Sequence, residues 1–410
     1  MNLINPTVCI LVLYLLVDTE ASDQHKMQVD KKPSTTLKNV IPSCHDFTSS
    51  LYKTLSESSN DNILISPVNV YVLLSLLTHG TAGSTLDELR SILYHDDIVS
   101  LSEEFQSLIA LLKDIEKVDL YTKSAIFAQY GYPFLNKFES TSTDIFDFFI
   151  TMIDFSNAVK AVEDINTWIK RSTYNKLSNI ITPDTIEEET RMMFVNTIYF
   201  NGKWLAKFDE KNTQMLAFHV SKTEINLVPT MVKKTKFNCG EIPEWKASFI
   251  EIPYMNSDFV MVILLPYEEV NLQTVENNFN WKILANAPRS VEEIELYLPK
   301  FNIDFTMDLK DILKKMGVIT MFSKDANFTT MSSQPIYLSH VIQKGFLKVD
   351  EESTEAAAAT VAQGRSIRSA PRIFAVERPF LFAIEYKPYK IPLLLGSVRK
   401  LDYQPLKDEL

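Results

Sequence analysis

EESTEAAAATVAQGRSIRSAPRIFAVERPF, Glu351 to Phe380, is the stretch on which the reading of this chain turns. By propensity alone, Ala356 to Ala359 form a helix. Read with period two, the segment says something else. One parity holds Thr354, Ala356, Ala358, Thr360, Ala362, Gly364 and Ser366, all small and uncharged. The other holds Glu355, Ala357, Ala359, Val361, Gln363 and Arg365, and it alone carries charge. Such a segment can enter a sheet as a strand without burying a charge or forcing bulk into a core. An alanine-rich linker is the plainer alternative.

The elements upstream supply a sheet for it to enter. Ser66-Pro67 precedes Val70, Leu73, Leu74 and Leu77, whose spacing makes one apolar helix stripe with serine as N-cap and proline at the first helical position. Gly80 ends it. Thr85-Leu86-Asp87-Glu88 has the form of a capping box and opens a second helix that buries Leu89, Ile92 and Leu93. A third runs through Ile165, Trp168 and Ile169. Met192 to Phe200 is apolar on both parities, as a strand covered on both faces should be, and its Asn196 must find hydrogen-bond partners. Phe259 to Leu265 is a second such strand, closed by Pro266. Ile294, Leu296 and Leu298 alternate, as do Phe301, Ile303 and Phe305; Leu309, Ile312, Leu313 and Met316 then switch to helical spacing and stop at Gly317. Helices first and strands later, without strict alternation, predict an α+β fold.

Glycine and proline together number 27 of 410 residues (9 and 18), scattered, with no linker-like run between two halves, so one large domain is expected. A hydrophobic content of 46% is far from a disordered composition. The net charge of −11 argues against nucleic-acid binding, and basic clusters such as Lys233-Lys234 with Lys236 read as solvated loop charges.

Both ends read as address labels. Cys9 to Val17 is an apolar run too short to span a bilayer and is followed by Thr19 and Ala21, which predicts a signal peptide over 1–21; a buried strand or helix is the alternative. Lys407-Asp408-Glu409-Leu410 matches the tetrapeptide by which a receptor returns luminal proteins to the endoplasmic reticulum. With no later apolar run of spanning length, a luminal chain without a membrane span is expected. Cys44 and Cys239 could pair in that compartment, but two cysteines are no disulfide framework. Asn327-Phe328-Thr329 is a glycosylation acceptor, expected at an exposed turn. No metal-ligand spacing, nucleophile elbow, dinucleotide fingerprint or phosphate loop occurs, so an enzyme is the weaker reading and neither metal nor cofactor is expected.

At the 351–380 segment the chain resembles the serpins. Glu351-Glu352-Ser353-Thr354-Glu355 with the following alanines is similar to the family's reactive-loop hinge, and Phe374 through Ile384 to its C-terminal signature. Asn62 to Pro67, Gly80 to Thr85, Asn196 to Trp204, Leu298 to Phe301 and Leu395-Gly396 fall in the family's order. The resemblance covers 43–400, with the reactive loop at 351–374, an N-terminal extension at 22–42 and a tail at 401–410. It implies a single, monomeric α+β domain with a large central sheet, bearing an exposed loop that a target protease attacks and that then inserts as an extra strand. It also places Ser66, Asn196 and Gln343 where the sheet opens, and Glu351 with Lys300 at the mouth of the insertion. The hinge comprises Glu351, Ser353, Thr354, Glu355, Ala356, Ala357, Ala358, Ala359 and Thr360. Four residues depart from the family pattern: Ser353 for glycine, Gln343 for histidine, Glu377 for aspartate or asparagine, and Thr81 for alanine.

Counting along the hinge places the cleaved bond after Ile367; counting back from Pro379-Phe380 places it after Arg368. The chemistry of an acidic pocket favours Arg368-Ser369. Arg365 stands three residues before Arg368, and the resulting Arg-x-x-Arg resembles the minimal recognition sequence of furin-like convertases. The leading expectation is therefore an inhibitor of furin-like convertases, followed by one of trypsin-like extracellular proteases. A non-inhibitory serpin chaperone of the endoplasmic reticulum is the reading from another class.

Overall fold

The computed structural model describes residues 37–115, 120–178, 181–256, 258–351 and 371–402. The expected leader, the start of the N-terminal extension and the tetrapeptide Lys407 to Leu410 lie outside them. Nine α-helices run in chain order as α1 (Val40–Ser56), α2 (Pro67–Thr78), α3 (Gly83–Leu93), α4 (Ser102–Ile115), α5 (Asn136–Ser140), α6 (Ala158–Ser172), α7 (Leu272–Asn277), α8 (Trp281–Asn286) and α9 (Lys310–Lys315) among the described residues. The strands are β1 (Ile63–Ile65), β2 (Leu120–Gln129), β3 (Phe149–Ile153), β4 (Met192–Phe200), β5 (Gln214–His219), β6 (Ile225–Ile242), β7 (Ala247–Pro253), β8 (Phe259–Pro266), β9 (Ser290–Pro299), β10 (Phe301–Asp308), β11 (His340–Val349), β12 (Arg372–Ala375), β13 (Phe380–Tyr386) and β14 (Ile391–Val398).

Five strands form one sheet in the order β10-β11-β4-β2-β3, and the rest form a second in the order β1-β14-β13-β8-β7-β6-β9-β12 with β5 beside β6. The five-stranded sheet is mixed and the second is mainly antiparallel; with the helices, this is the α+β class expected. Continuous apolar runs became strands buried on both faces: β4 and β8 are buried along their whole length. In β9 the alternation holds, with Ile294, Leu296 and Leu298 in the core and Glu295 and Tyr297 between them. Leu309, Ile312 and Leu313 bury the inner side of α9. The chain leaves that helix through Gly317 at φ +101°, while the Val318 N–H donates to the Leu313 carbonyl at 2.9 Å.

Three readings need correction. The helix after Pro67 does not bury one stripe; every residue of α2 is buried, because it packs against α1, α3 and β14 at once. Its polar residues are absorbed locally, as when Ser75 Oγ donates to the Tyr71 carbonyl at 2.7 Å. Ser66 makes no side-chain cap. Thr85 and Glu88 do not cap their own helix either, which begins earlier, at Gly83. Instead, Glu88 Oε2 accepts from the backbone N–H groups of Ile319 and Thr320 at 2.7 and 2.9 Å, and Thr85 Oγ accepts from Asn327 N–H at 3.0 Å. The capping chemistry is correct, but its client is another segment. The folded region also starts before residue 43, since Leu37, Val40 and Ile41 belong to the core.

One ion pair lies inside that core. Glu276 is fully buried, and Arg399 reaches both its oxygens at 2.9 and 2.8 Å while Tyr52 donates to Oε1 at 2.8 Å. Burial raises the Glu276 carboxyl above its ordinary value, and Arg399 opposes the rise. Replacing Arg399 by Leu strands the carboxylate and should cost about 3–5 kcal/mol, read from urea unfolding followed by tryptophan fluorescence. Adding Glu276→Leu should recover most of the loss.

Candidate functional site

Strands β11 and β4 run parallel within the five-stranded sheet, with Gln343 opposite Asn196. Their side chains make a relay across the seam. The Ser66 N–H donates to Gln343 Oε1 at 2.9 Å, Gln343 Nε2 donates to Asn196 Oδ1 at 2.9 Å, and Asn196 Nδ2 donates to Ser124 Oγ at 2.9 Å. The partners demanded by a buried asparagine are thus found. Each amide both accepts and donates, so two of them in series tie the start of α2 to β11, β4 and β2. Gln343 is 1% exposed, which leaves no water to replace a lost bond. Ser66 Oγ is buried with no partner among the described residues. On this face Gly345 packs beneath β1, where a Cβ would stand 3.0 Å from Leu64.

The opposite face carries Ile342, Lys344 and Phe346. Phe346 stacks on Tyr199 across the seam at 5.2 Å with the rings 5° apart. Lys344 is buried, paired with Asp304 and donating to Thr306 Oγ1 at 3.1 Å; burial lowers its pKa. Helix α6 lies over this face, with Ala161, Ile165 and Ile169 buried in the same cluster as Val195 and Ile342.

Where β11 ends, the chain is latched. Trp204 Nε1 donates to the Asp350 carbonyl at 2.7 Å and its ring stacks on Tyr254 at 4.5 Å. Glu351 accepts from Thr213 Oγ1 at 2.6 Å and pairs with Lys300 at 2.9 Å. Burial pushes the Glu351 carboxyl up, but the bonds from Thr213 and Lys300 outweigh it and hold the group below its ordinary 4.5. The rest of the hinge (Ser353, Thr354, Glu355, Ala356, Ala357, Ala358, Ala359, Thr360) and Arg365, Ile367, Arg368 and Ser369 lie outside the described residues. The chain is next described at Pro371 and enters β12, parallel to β9, where Arg372 pairs with Glu241 at 2.8 Å and Glu292 at 3.4 Å.

The structure therefore brings Ser66, Asn196 and Gln343 together, and Glu351 with Lys300 elsewhere. Ser124, Thr213 and Trp204 complete the two clusters without having been singled out; only Trp204 left a signal, as the end of a quoted motif. Asn327 is half-buried rather than at a free turn tip: its Oδ1 accepts from Thr329 Oγ1 at 2.8 Å and its carbonyl accepts from Ala82 N–H at 3.0 Å. Cys44 and Cys239 are free and buried. Among the described residues no group of three or more His, Cys, Asp or Glu could hold a metal, and no helix is long and apolar enough to cross a membrane.

The family model described as Serpin (serine protease inhibitor) matches residues 42–401. The chain is 32% identical over 352 residues to Serpin B6 of Pongo abelii, covering 83% of this chain and 93% of that one. It is 32% identical over 375 residues to Alaserpin of Manduca sexta, covering 89% and 95%. Among solved structures, the highly specific Serpin48 of the insect Tenebrio molitor superposes with a TM-score of 0.79 at 28% identity, covering 89% of this chain and 99% of that one.

Two outcomes follow from the geometry. Gln343→Ala leaves the Ser66 N–H and Asn196 Oδ1 buried and unpaired and should cost about 1–3 kcal/mol, seen as a lower thermal unfolding midpoint. The Glu351 carboxyl is depressed, so its stabilisation is present above pH 4.5 and is lost as pH falls below it. Lys300→Met should move that loss to higher pH, read as the pH midpoint of Trp204 fluorescence change.

Proposed function

This chain belongs to the serpin family of serine protease inhibitors, and we propose that it is an inhibitor that works as a suicide substrate cleaved at Arg368-Ser369. The observation that carries the proposal is the seam. A chain turning back after Val349 runs antiparallel to β11 and, because β4 is parallel to β11, antiparallel to β4 as well. One strand entering there exchanges a single parallel ladder for two antiparallel ones, the slightly stronger kind per residue. The small, uncharged parity from Thr354 to Ser366 suits that place, and the Glu351 latch lies at its mouth.

In the proposed reaction the protease's serine Oγ attacks the Arg368 carbonyl. The bond to the Ser369 nitrogen breaks, the amine leaves with the proton, and Arg368 remains ester-linked to the protease. Insertion then carries the acyl-enzyme away from β12, which Arg372 keeps fastened to Glu241 and Glu292. Released strain drives the step, so the native state is held kinetically.

Furin-like convertases are the favoured targets, supported by Arg365 and Arg368 at the spacing their paired acidic subsites read; trypsin-like proteases come second. The signal segment at 1–21 and the tail Lys407 to Leu410 support residence in the endoplasmic reticulum lumen, with the tail's receptor as a second partner and glycosylation at Asn327. Incubation with furin, and separately with trypsin, should give a complex that survives denaturing electrophoresis and a released peptide beginning at Ser369 by mass analysis. Arg368→Ala should abolish both. Thr354→Arg should turn the inhibitor into a plain substrate, cleaved without complex. Complex with trypsin alone would remove the convertase assignment, and cleavage by wild type without any complex would leave the luminal chaperone reading in its place.

A further inference from the structure

A cavity of about 390 Å³ opens between α8 and the far end of β13, and the proposed inhibition makes no use of it. Its lining includes Asn238, Glu251, Arg289, Glu385, Lys387 and Lys390. Glu385 is 4% exposed, and its Oε2 is buried with no hydrogen-bond partner among the described residues. A native carboxyl oxygen left so is expensive unless it carries a proton or meets a ligand. Glu251, also 4% exposed, is by contrast saturated: Arg289 Nε pairs with Oε1, and Asn238 Nδ2 donates to Oε2 at 3.1 Å.

The cations are in the reverse condition. Lys390 Nζ donates to Asn286 Oδ1 at 2.6 Å, a neutral acceptor, and Lys387 Nζ has no hydrogen bond or ion pair among the described residues. Three cations face two carboxylates, so the cavity keeps a surplus of one positive charge with Glu385 ionised and two with it protonated. That balance disfavours an amine or a metal ion. It suits a small oxyanion, which Lys387 and Lys390 neutralise and to which a protonated Glu385 donates its one hydrogen bond. We propose that this cavity is a binding site for a small oxyanion, an organic carboxylate or an inorganic oxyacid anion, recognised by Glu385, Lys387 and Lys390.

Binding and protonation are then coupled. Burial pushes the Glu385 carboxyl up to about 7; Arg289 opposes this, Glu251 adds to it, and Lys390 and Lys387 oppose it. Those are the charged groups facing Glu385: Glu251 from β7, Arg289 from the segment after α8, and the two lysines from the β13–β14 turn. Strand β8 sets Val260 beside it in register, β6 contributes the uncharged Asn238, and α8 contributes Ala285 and Asn286. An anion strengthens the protonated form, so affinity falls as pH rises through 7.

The test is calorimetric titration of the whole protein with benzoate and with sulfate, whose charges are constant between pH 6 and pH 8. At least one probe should bind saturably at pH 6 and about tenfold more weakly at pH 8, the ratio expected when the protonated fraction falls over two pH units centred on 7. Benzoate alone would identify an organic carboxylate, and sulfate as well would identify an inorganic anion. Glu385→Gln, which keeps a donor and nearly the same shape, should retain binding and lose the pH dependence; Lys387→Ala with Lys390→Ala should weaken it at least tenfold. Unfolding midpoints of the variants check that they fold. Absence of saturable binding by both probes, equal affinity at the two pH values, or an unchanged pH dependence in Glu385→Gln would overturn the proposal. No protease enters these measurements, so they stand or fall apart from the inhibitory reading.

Discussion

The parallel pairing of β11 with β4 is the constraint around which the molecule is arranged. It joins Gln343 to Asn196, 147 positions apart in sequence, by one hydrogen bond between two buried amides. Parallel ladders are the weaker kind and are stable only when both faces are covered. Here the start of α2 with β1 covers one face and α6 the other. The relay from Ser66 to Ser124 fastens the first cover to the sheet, and the stack of Phe346 on Tyr199 closes the seam beneath the second. The latch on Glu351 then fixes where the chain departs. Loosening the seam alone exposes buried amides, while releasing the latch alone leaves the sheet closed. The two clusters are separate holds on the movement proposed for inhibition.

Much of this was legible in the sequence wherever the signal is local. Continuous apolar runs identified β4 and β8 because a strand covered on both faces has no polar parity. Alternation located β9, and the demand that Asn196 be paired follows from its burial alone. What could not be read is the identity of partners. Thr85 and Glu88 have the chemistry of a cap whichever backbone they serve, and only the tertiary arrangement turns them toward residues 319–327. A stripe of four leucine and valine positions predicts one buried side, but a helix enclosed by α1, α3 and β14 has no outer side. Thr213 and Ser124 are ordinary hydroxyl residues in sequence and acquire meaning from a carboxylate and an amide that lie far off in the chain.

The arginines near the proposed bond divide by their place in the chain. Arg372 is committed to Glu241 and Glu292 and holds β12 against β9. It is therefore part of the scaffold on the downstream side and not a free contact for a protease. In the proposed reaction, recognition by basic side chains is left to Arg365 and Arg368, upstream of Ser369. The fixed cation and the two proposed for recognition thus fall on opposite sides of Ser369 in sequence. This partition suits a reaction whose two products part company.

The state of the cysteines bears on all of this. Cys44 lies wholly inside the core with its thiol pushed up to about 12, and Cys239 is buried beside Ser290. Neither offers a thiolate to an oxidant or to a mixed disulfide at ordinary pH. Among the described residues no covalent cross-link joins β11 to β4 or either strand to its covers. Separating β11 from β4 therefore breaks no covalent bond among the described residues. These two cysteines leave the fold to be held by packing, hydrogen bonds and ion pairs.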